Sequence, residues 1–463
     1  MIYNPVADAA FGRTMNHITH RLQFILVKYA VLGGGLTGLT LARHLMEKGD
    51  EVVVLEREQE PGGLCRSVSE EGFTFDIGGS HIIFSRDTGV LDFMNNLIGD
   101  NRETRIRNTK IRYGDRYIKY PFENGLDNLP KDDLFYCINE FIKTLVAVEK
   151  GELKRPENFR EWILYTFGKG IADCYMIPYN EKIWNYPSEK MSLHWVDGRI
   201  PRPPVEDIIK SAVGIETEGY THQSVFSYPV IGGIGAIISS LEDGIGERII
   251  TGFDVKSVKR DGDGYVITNG SEEIIADRCI STIPVQHLVT CLENVPDNII
   301  EASISLKYNS IVTIGIGLKG KVPEFSWLYI PDEEQGFFNR VSFPSNYSTK
   351  VAPEGCSSIL AEITYNEGDY VSRMGDDEII AHTVDHLETM GLLEKKDVIY
   401  TRCDRFRYAY VVYDLNYLKN IGLIREYFRG TGIDLVGRFS EFEYLNMDGC
   451  IRHVLDYTGD HAE

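Results

Sequence analysis

Gly33, Gly35 and Gly38 stand in G-x-G-x-x-G spacing in VLGGGLTGL, and Glu56 follows at the end of EVVVLE. The first glycine permits a tight turn, the second lets backbone approach a pyrophosphate, and the third lets a helix pack closely on a strand. A carboxylate at Glu56 is placed to accept from a ribose hydroxyl pair. The pattern predicts a dinucleotide site. A second cluster, PYNEKIW at residues 178–184, is followed by Trp195 and Arg199 in HWVDGRIP. Two tryptophans mixed with Asn180, Glu181 and Lys182 suit neither a packed helix nor a solvated loop, so the stretch reads as a contact surface. Its ligand is not named by the stretch itself. No Ser-His-Asp or Cys-His set stands out. The eight cysteines (65, 137, 174, 279, 291, 356, 403 and 450) show no CxxC and no metal-ligand spacing. No metal is therefore expected, and reduced thiols point to a cytoplasmic protein.

The elements that must position these groups are legible in outline. VKYAVLGGGLTGLTLARHLMEKGDEVVVLE reads as strand, glycine turn, helix, a turn at Gly49-Asp50 and a second strand, with Leu39, Leu41, Ala42 and Leu45 on the helix's apolar face. EPGGLCRS adds Gly62, Gly63 and Arg66 beside that unit, as a long flavin-carrying dinucleotide requires. PVIGGIGAIISSL has glycines at 232, 233 and 235 before an apolar helix, and GFDVKSVKRDGDGYVITNG alternates around an Asp-Gly turn as a hairpin does. Residues 132–150 are expected to form a helix, with Asp132 as N-cap and Leu134, Ile138, Phe141, Ile142, Leu145 and Val148 on one face. A further helical run, ENFREWILYTFGKGIADCYMI, is expected to break at Gly168 and Gly170, and Pro178 to end a helix. From 303 to 411 the pattern turns β-rich (SIVTIGIGL, FSWLYIP, SSILAEITY) around one helix, DDEIIAHTVDHLETMGLL.

A net charge of −21 disfavours nucleic acid or anionic membrane as the main partner. No apolar run approaches the roughly 18 residues of a membrane span. FILVKYAVL is interrupted by Lys28 and runs into the glycine loop, so it reads as a buried strand and not as a signal peptide. Residues 1–22 show no clear pattern and are set aside as an extension.

The segments GGSHIIFS, YPFENGLDNLP, FGKGIADCYMIPYNEKIW, GRIPRP, WLYIPDE, FNRVSFPSNYS, RFRYAYVVYDL and GRFSEFEYLNMDG occur in that order. With them the chain, from Val27 onward, resembles the UDP-galactopyranose mutases, especially their eukaryotic-type branch, within the FAD-binding superfamily of amine oxidases and protoporphyrinogen oxidases. The resemblance implies an α/β chain: an FAD-binding Rossmann-type domain (23–106, 223–302 and 412–463), an inserted helical domain (124–222) and an antiparallel-sheet substrate domain (107–123 and 303–411). It implies interconversion of pyranose and furanose rings on a sugar nucleotide, through a sugar adduct at N5 of reduced FAD. Arg199 and Arg340 would clamp the diphosphate, Tyr329, Tyr410 and Tyr444 would add phenolic donors, and Asn180 and Trp184 would line the sugar side. Arg438 would sit between sugar and flavin, His81 beside the isoalloxazine, and Gly79 near N5. Tyr120 and Phe122 would face the base with help from Phe84. Gly233, Val255 and Asp448 complete the implied flavin contacts. NADPH, bound through Arg107–Thr109, is the implied reductant, and an oligomer is left open.

The chain departs from that branch at four positions. Glu123 replaces a Gln beside the base, Gln223 and Asp448 replace Asn, and Ser80 separates the glycine pair from His81. A carboxylate at 123 accepts hydrogen bonds but donates none unless protonated, which leaves the base open. Two other readings compete. An FAD-dependent oxidoreductase would share the flavin segments but line its pocket with apolar and aromatic groups; a non-catalytic flavin-binding scaffold would lack a cavity at the reactive edge.

Overall fold

The structure, a computed structural model, describes residues 24–196, 199–200, 202–217 and 224–459. The extension 1–22 and Gln223 lie outside the described residues.

The strand Phe24–Leu32 sits at the centre of the first sheet, parallel to Val52–Leu55 on one side and Glu273–Ser281 on the other. Val52–Leu55 is buried along its whole length, as a parallel strand covered on both faces must be. Alternate residues therefore feed two cores: Ala30, Leu32, Val53 and Leu55 enter one, and Val31, Val52 and Val54 the other. The hairpin of Ser257–Asp261 with Gly264–Thr268 extends the sheet beyond Glu273–Ser281. The helix Leu36–Glu47 crosses between the first two strands and buries Leu39, Leu41, Ala42 and Leu45. Its approach depends on Gly38, where an added Cβ would lie 1.9 Å from the Gly33 carbonyl oxygen. Backbone cannot yield that much, so Gly38→Ala is expected to displace the glycine turn. Purified G38A should unfold at a lower urea concentration than the wild type, while an unchanged midpoint would refute this packing role.

In the second sheet Lys307–Lys319 pairs antiparallel with both Val398–Val412 and Cys356–Tyr365, and the order continues through Arg340–Ser342 and Trp327–Tyr329. One pairing is parallel, that of Trp327–Tyr329 with Thr109–Tyr113. It draws the early hairpin Thr109–Lys119 into a sheet otherwise built from the second half of the chain. Helix Asp376–Thr389 covers one face through Ile379 and Leu387. The fold is thus a mixed α/β one, with a parallel-centred sheet and a largely antiparallel one.

The helical segment corrects several expectations. The long helix runs Lys131–Glu149, and no side chain caps it, because Pro130 and not Asp132 holds the N-cap position. Cys137 and Phe141 face its core, whereas Ile142 is 47% exposed. Gly168 does break the following helix, with φ +73°. Gly170 is needed for a different reason: a Cβ there would stand 2.4 Å from the Cys137 Cα. Pro178 ends nothing. It lies in the first turn of Ile177–Trp184, which continues without a break from the π-helical turn Ala172–Met176.

Candidate active site

The helix Ile177–Trp184 is pinned from the second sheet. Asn309 Nδ2 donates to the Ile183 and Trp184 carbonyls at 3.0 Å, and Thr364 Oγ1 donates to the Lys182 carbonyl at 3.0 Å. These contacts satisfy carbonyls that every helix end leaves unpaired. Lys182 is not a solvated charge. Its Nζ is buried and donates to the Asp332 and Gly336 carbonyls at 2.7 and 2.8 Å, and burial lowers its pKa to about 7. It thereby ties the helix to the loop between Tyr329 and Arg340. Glu181 turns away, accepting from Arg160 Nη1 at 3.2 Å.

With the helix fixed, Asn180 and Trp184 join the wall of a cavity of about 1210 Å³, which also takes in Gly79, His81, Tyr120, Arg199, Tyr329, Arg340, Tyr410, Arg438 and Tyr444. Ligand pockets commonly measure about 300–1,000 Å³, so there is room for a cofactor and a second ligand. Trp184 meets Tyr444 and Tyr410 edge-on, at 5.4 and 6.1 Å between ring centroids. The Tyr444 ring carries two guanidinium groups, Arg199 at 4.2 Å and Arg438 at 4.6 Å. Arg438 is held there by the carbonyls of Leu445 and Ala409. Arg199 is exposed on the cavity wall, yet the protein packed around its guanidinium desolvates it enough to lower its pKa.

Arg340 is held by a residue that the sequence reading missed. Its Nε and Nη2 donate to Glu362 Oε1 and Oε2 at 2.8 and 2.6 Å, a two-point fork on a carboxylate only 1% exposed. Glu362 Oε1 also accepts the Ser80 N–H at 3.0 Å, so one carboxylate locks both the arginine and the GGSH loop. Burial opposes charge on Arg340, but Glu362 outweighs it and holds its pKa well above the usual value. Among the described residues Nη1 has no hydrogen-bond partner, while Nη2 also reaches the Ser80 carbonyl at 3.4 Å. The overlooked signal was a lone carboxylate in the apolar strand SSILAEITY, since a buried charge needs a partner. His81 lies close by; burial, then Arg340 and Arg438, lower its pKa to about 4. It is a neutral hydrogen-bonding group at pH 7 and not an acid.

At the opposite end of the cavity the dinucleotide residues converge. Gly33, Gly35, Glu56, Gly62, Gly63, Arg66, Val255 and Asp448 all line it. Glu56 accepts the Gly34 N–H at 2.7 Å and the Glu58 N–H at 2.8 Å. No side chain caps the first turn of Leu36–Glu47, and a Cβ on Gly35 would meet nothing within 4 Å. Uncapped N–H donors beside open space are what a pyrophosphate requires. The residues therefore fit FAD. Asp448 accepts from Ser85 Oγ at 2.9 Å.

A family model for flavin containing amine oxidoreductases matches residues 36–420. The chain belongs to that family. Membership implies FAD and extends no support to NADPH. A crystal structure of reduced UDP-galactopyranose mutase superposes with a TM-score of 0.85 at 27% identity, over 94% of this chain and 96% of that one. A putative protoporphyrinogen oxidase from Exiguobacterium sp. shares the fold, with a TM-score of 0.74 at 17% identity over 94% and 98% of the two chains. Curated relatives match in part. An inactive all-trans-retinol 13,14-reductase of Danio rerio is 38% identical over 163 residues, 31% of this chain and 26% of its own length. A chloroplastic prolycopene isomerase of Daucus carota is 27% identical over 283 residues, 54% of this chain and 45% of its own. The chain thus spans between a quarter and a half of the length of these relatives.

Within this family member four expected contacts fall elsewhere. Phe122 is 0% exposed and stacks on Tyr175 at 4.9 Å, in the core and not in the cavity wall. Glu123, 5% exposed, is buried beside it and does not line the cavity either. Both follow from the short turn Phe122–Asn124, which buries all three of its residues against the helical segment. Gly233 packs behind the flavin loop, where a Cβ would stand 2.6 Å from Ser67 Oγ and 2.7 Å from Asp76 Oδ1. Asp76 also accepts from Tyr228 OH and the Ile234 N–H at 2.9 Å, and burial raises its pKa to about 6. Gly38 likewise packs and does not line the cavity. Tyr120 does, its ring tilted against that of Tyr329 at 5.0 Å and under the Arg107 guanidinium at 4.7 Å, which also covers Trp327. Phe84 joins that wall. Among the described residues no cluster could hold a metal and no helix is long and apolar enough to cross a membrane.

Proposed function

We propose that the protein is an FAD-dependent sugar-nucleotide mutase that interconverts pyranose and furanose rings. The observation that carries this reading is that Arg199, Arg340, Tyr329, Tyr410 and Tyr444 line the same cavity as the glycine-loop residues Gly33, Gly35 and Glu56. Reduced flavin, when bound, supplies the nucleophile for the anomeric carbon. The protein's part is positioning and charge. Arg199 and Arg340 take the diphosphate oxygens as negative charge develops on the leaving group. The tyrosine hydroxyls donate to the same oxygens, since burial raises the Tyr410 pKa and keeps it protonated. Asn180 and Trp184 shape the sugar side, and the aromatic walls exclude water. A protonated amine fits poorly, because the aromatic box that would receive it already holds Arg199 and Arg438. That argues against an amine oxidase, although it leaves a neutral oxidoreductase substrate open.

The assay reduces the protein with dithionite and offers UDP-galactofuranose, following the ring form chromatographically. Exchange without oxygen consumption is expected. Turnover of a different substrate that consumes oxygen, with no exchange for any sugar nucleotide, would replace this reading with an oxidase. Arg199→Ala should lower kcat/KM by about ten- to a hundredfold, the worth of a charged hydrogen bond. An unchanged value would remove Arg199 from the diphosphate site.

A further inference from the structure

We propose that His453 is a positioning residue: through Glu441 it fastens the cavity-wall turn that carries Arg438 to the helix Met447–Thr458. The proposal rests on the FAD-binding fold of the family and not on the mutase reading, so a failed ring-exchange assay leaves it standing.

The two pieces it joins differ in how well they are anchored. The helix Met447–Thr458 buries Cys450, Ile451, Val454 and Leu455 in the core it shares with Leu36–Glu47. Residues 436–446 form neither helix nor strand. Gly437 and Phe442 take φ of +88° and +54° there, and a bulky side chain seldom adopts the second. Local preference does not select such a turn, so its shape depends on what ties it down. In its far half Tyr417 OH donates to the Phe442 carbonyl and the Tyr444 N–H donates to Tyr413 OH, both at 2.6 Å. In its near half one carboxylate oxygen makes two contacts. Glu441 Oε2 accepts the Gly437 N–H at 2.6 Å and lies 2.6 Å from His453 Nδ1, which must carry the proton in that contact.

What the turn positions is the cavity wall. A Cβ on Gly437 would stand 2.5 Å from Thr37 Cγ2, so the turn lies against the first turn of Leu36–Glu47. Thr37, Arg438 and Phe439 all line the cavity. When Gly437 loses its tie, the turn is free to lift from Thr37 and to carry Arg438 with it. A site that is competent for only a fraction of the time holds its ligand more weakly by that fraction.

Charge gives the tie a pH dependence. The hydrogen bond to Glu441 raises the His453 pKa against the opposing effect of burial, and Glu443 on the turn and Asp456 on the same helix add to it. Arg425 faces the turn from Tyr417–Thr431 and is engaged by Glu443 and the Glu441 carbonyl. A charged hydrogen bond is about twice as strong as a neutral one. The charged contribution is whole below pH 6.5, the ordinary histidine value, and is lost as pH climbs through the raised one.

The test follows release of FAD from the holoprotein on dilution, by the rise in flavin fluorescence, at pH 6 and pH 9. His453→Leu is expected to release FAD about tenfold faster than the wild type at pH 6 and about threefold faster at pH 9. Asp76, Glu123 and Lys182 titrate near this window, but they are common to both proteins and cancel in the ratio. His453→Asn restores a neutral N–H donor, so it should recover most of the pH 9 difference and little of that at pH 6. Glu441→Gln keeps an acceptor for Gly437 without the charge and should show the same deficit at pH 6, which preserves the test where His453→Leu folds poorly. A ratio to wild type that is flat with pH, or an asparagine variant no better than the leucine one, would overturn the proposal.

Discussion

Arg340→Ala is expected to lower the unfolding free energy by about 3–5 kcal/mol, the cost of leaving one partner of a buried ion pair alone. Glu362 would be left in a site that is 1% exposed, with the Ser80 N–H as its remaining hydrogen-bond donor among the described residues. Activity should fall with stability, because the same carboxylate sets the aim of Arg340 and the position of the flavin loop. Arg340→Lys should recover little, since an ammonium cannot reproduce a two-point fork. The decisive measurement is a double-mutant cycle by urea denaturation. Arg340→Met with Glu362→Leu should regain most of the stability, because removing both charges removes the desolvation cost as well. Activity would stay lost. A single-variant cost below about 1 kcal/mol would mean the pair is solvated and does not hold the loop.

Glu123→Gln carries the second large effect, and its sign depends on pH. Burial raises the Glu123 pKa from 4.5 to about 7, with its own backbone N–H the one opposing contact. A carboxyl whose folded pKa is raised adds no penalty below pH 4.5 and costs stability as pH climbs through 7, since the unfolded chain ionises first. The wild type therefore loses up to about 3 kcal/mol across that window, at 1.36 kcal/mol per pH unit. Glu123→Gln has no such proton to lose. The stability difference between variant and wild type should grow in favour of the glutamine as pH rises from 4.5 to above 7. Asp76 loses stability in the same direction, and His81 in the opposite one as pH falls from 6.5 toward 4. Both contributions are common to the two proteins and cancel in the difference. A difference that stays flat with pH would place Glu123 beside water or a cation.

These two carboxylates mark where sequence reading succeeded and where it stopped. Gly33, Gly35, Glu56, Gly62 and Gly63 were legible because their work is local. A tight turn, a left-handed glycine and a strand-end acid are consequences of a few neighbouring residues, and they converge wherever the rest of the chain goes. The break at Gly168 was legible for the same reason. The helix face of Lys131–Glu149 was harder, because which of Cys137, Phe141 and Ile142 turns inward depends on the segment that packs on it. Glu362 was passed over because the arginine that satisfies it lies 22 residues earlier, on a neighbouring strand. Phe122 and Glu123 were assigned to the cavity by position in a motif, and the turn that carries them faces the helical core instead.

By itself, then, the sequence determined a glycine turn of dinucleotide-binding type, the order of the elements around it and a stretch, PYNEKIW, whose residue mixture reads as a contact surface. Each follows from spacing, backbone freedom and apolar periodicity. The tertiary structure alone decided which charges meet. Parallel pairing of Thr109–Tyr113 with Trp327–Tyr329 brings Tyr120 to Tyr329, and Asn309 and Thr364 hold Trp184 against Tyr410 and Tyr444. Glu362 turns Arg340 into the same space. Burial then sets the proton on each group, and burial is a property of neighbours that may stand hundreds of residues away in the chain.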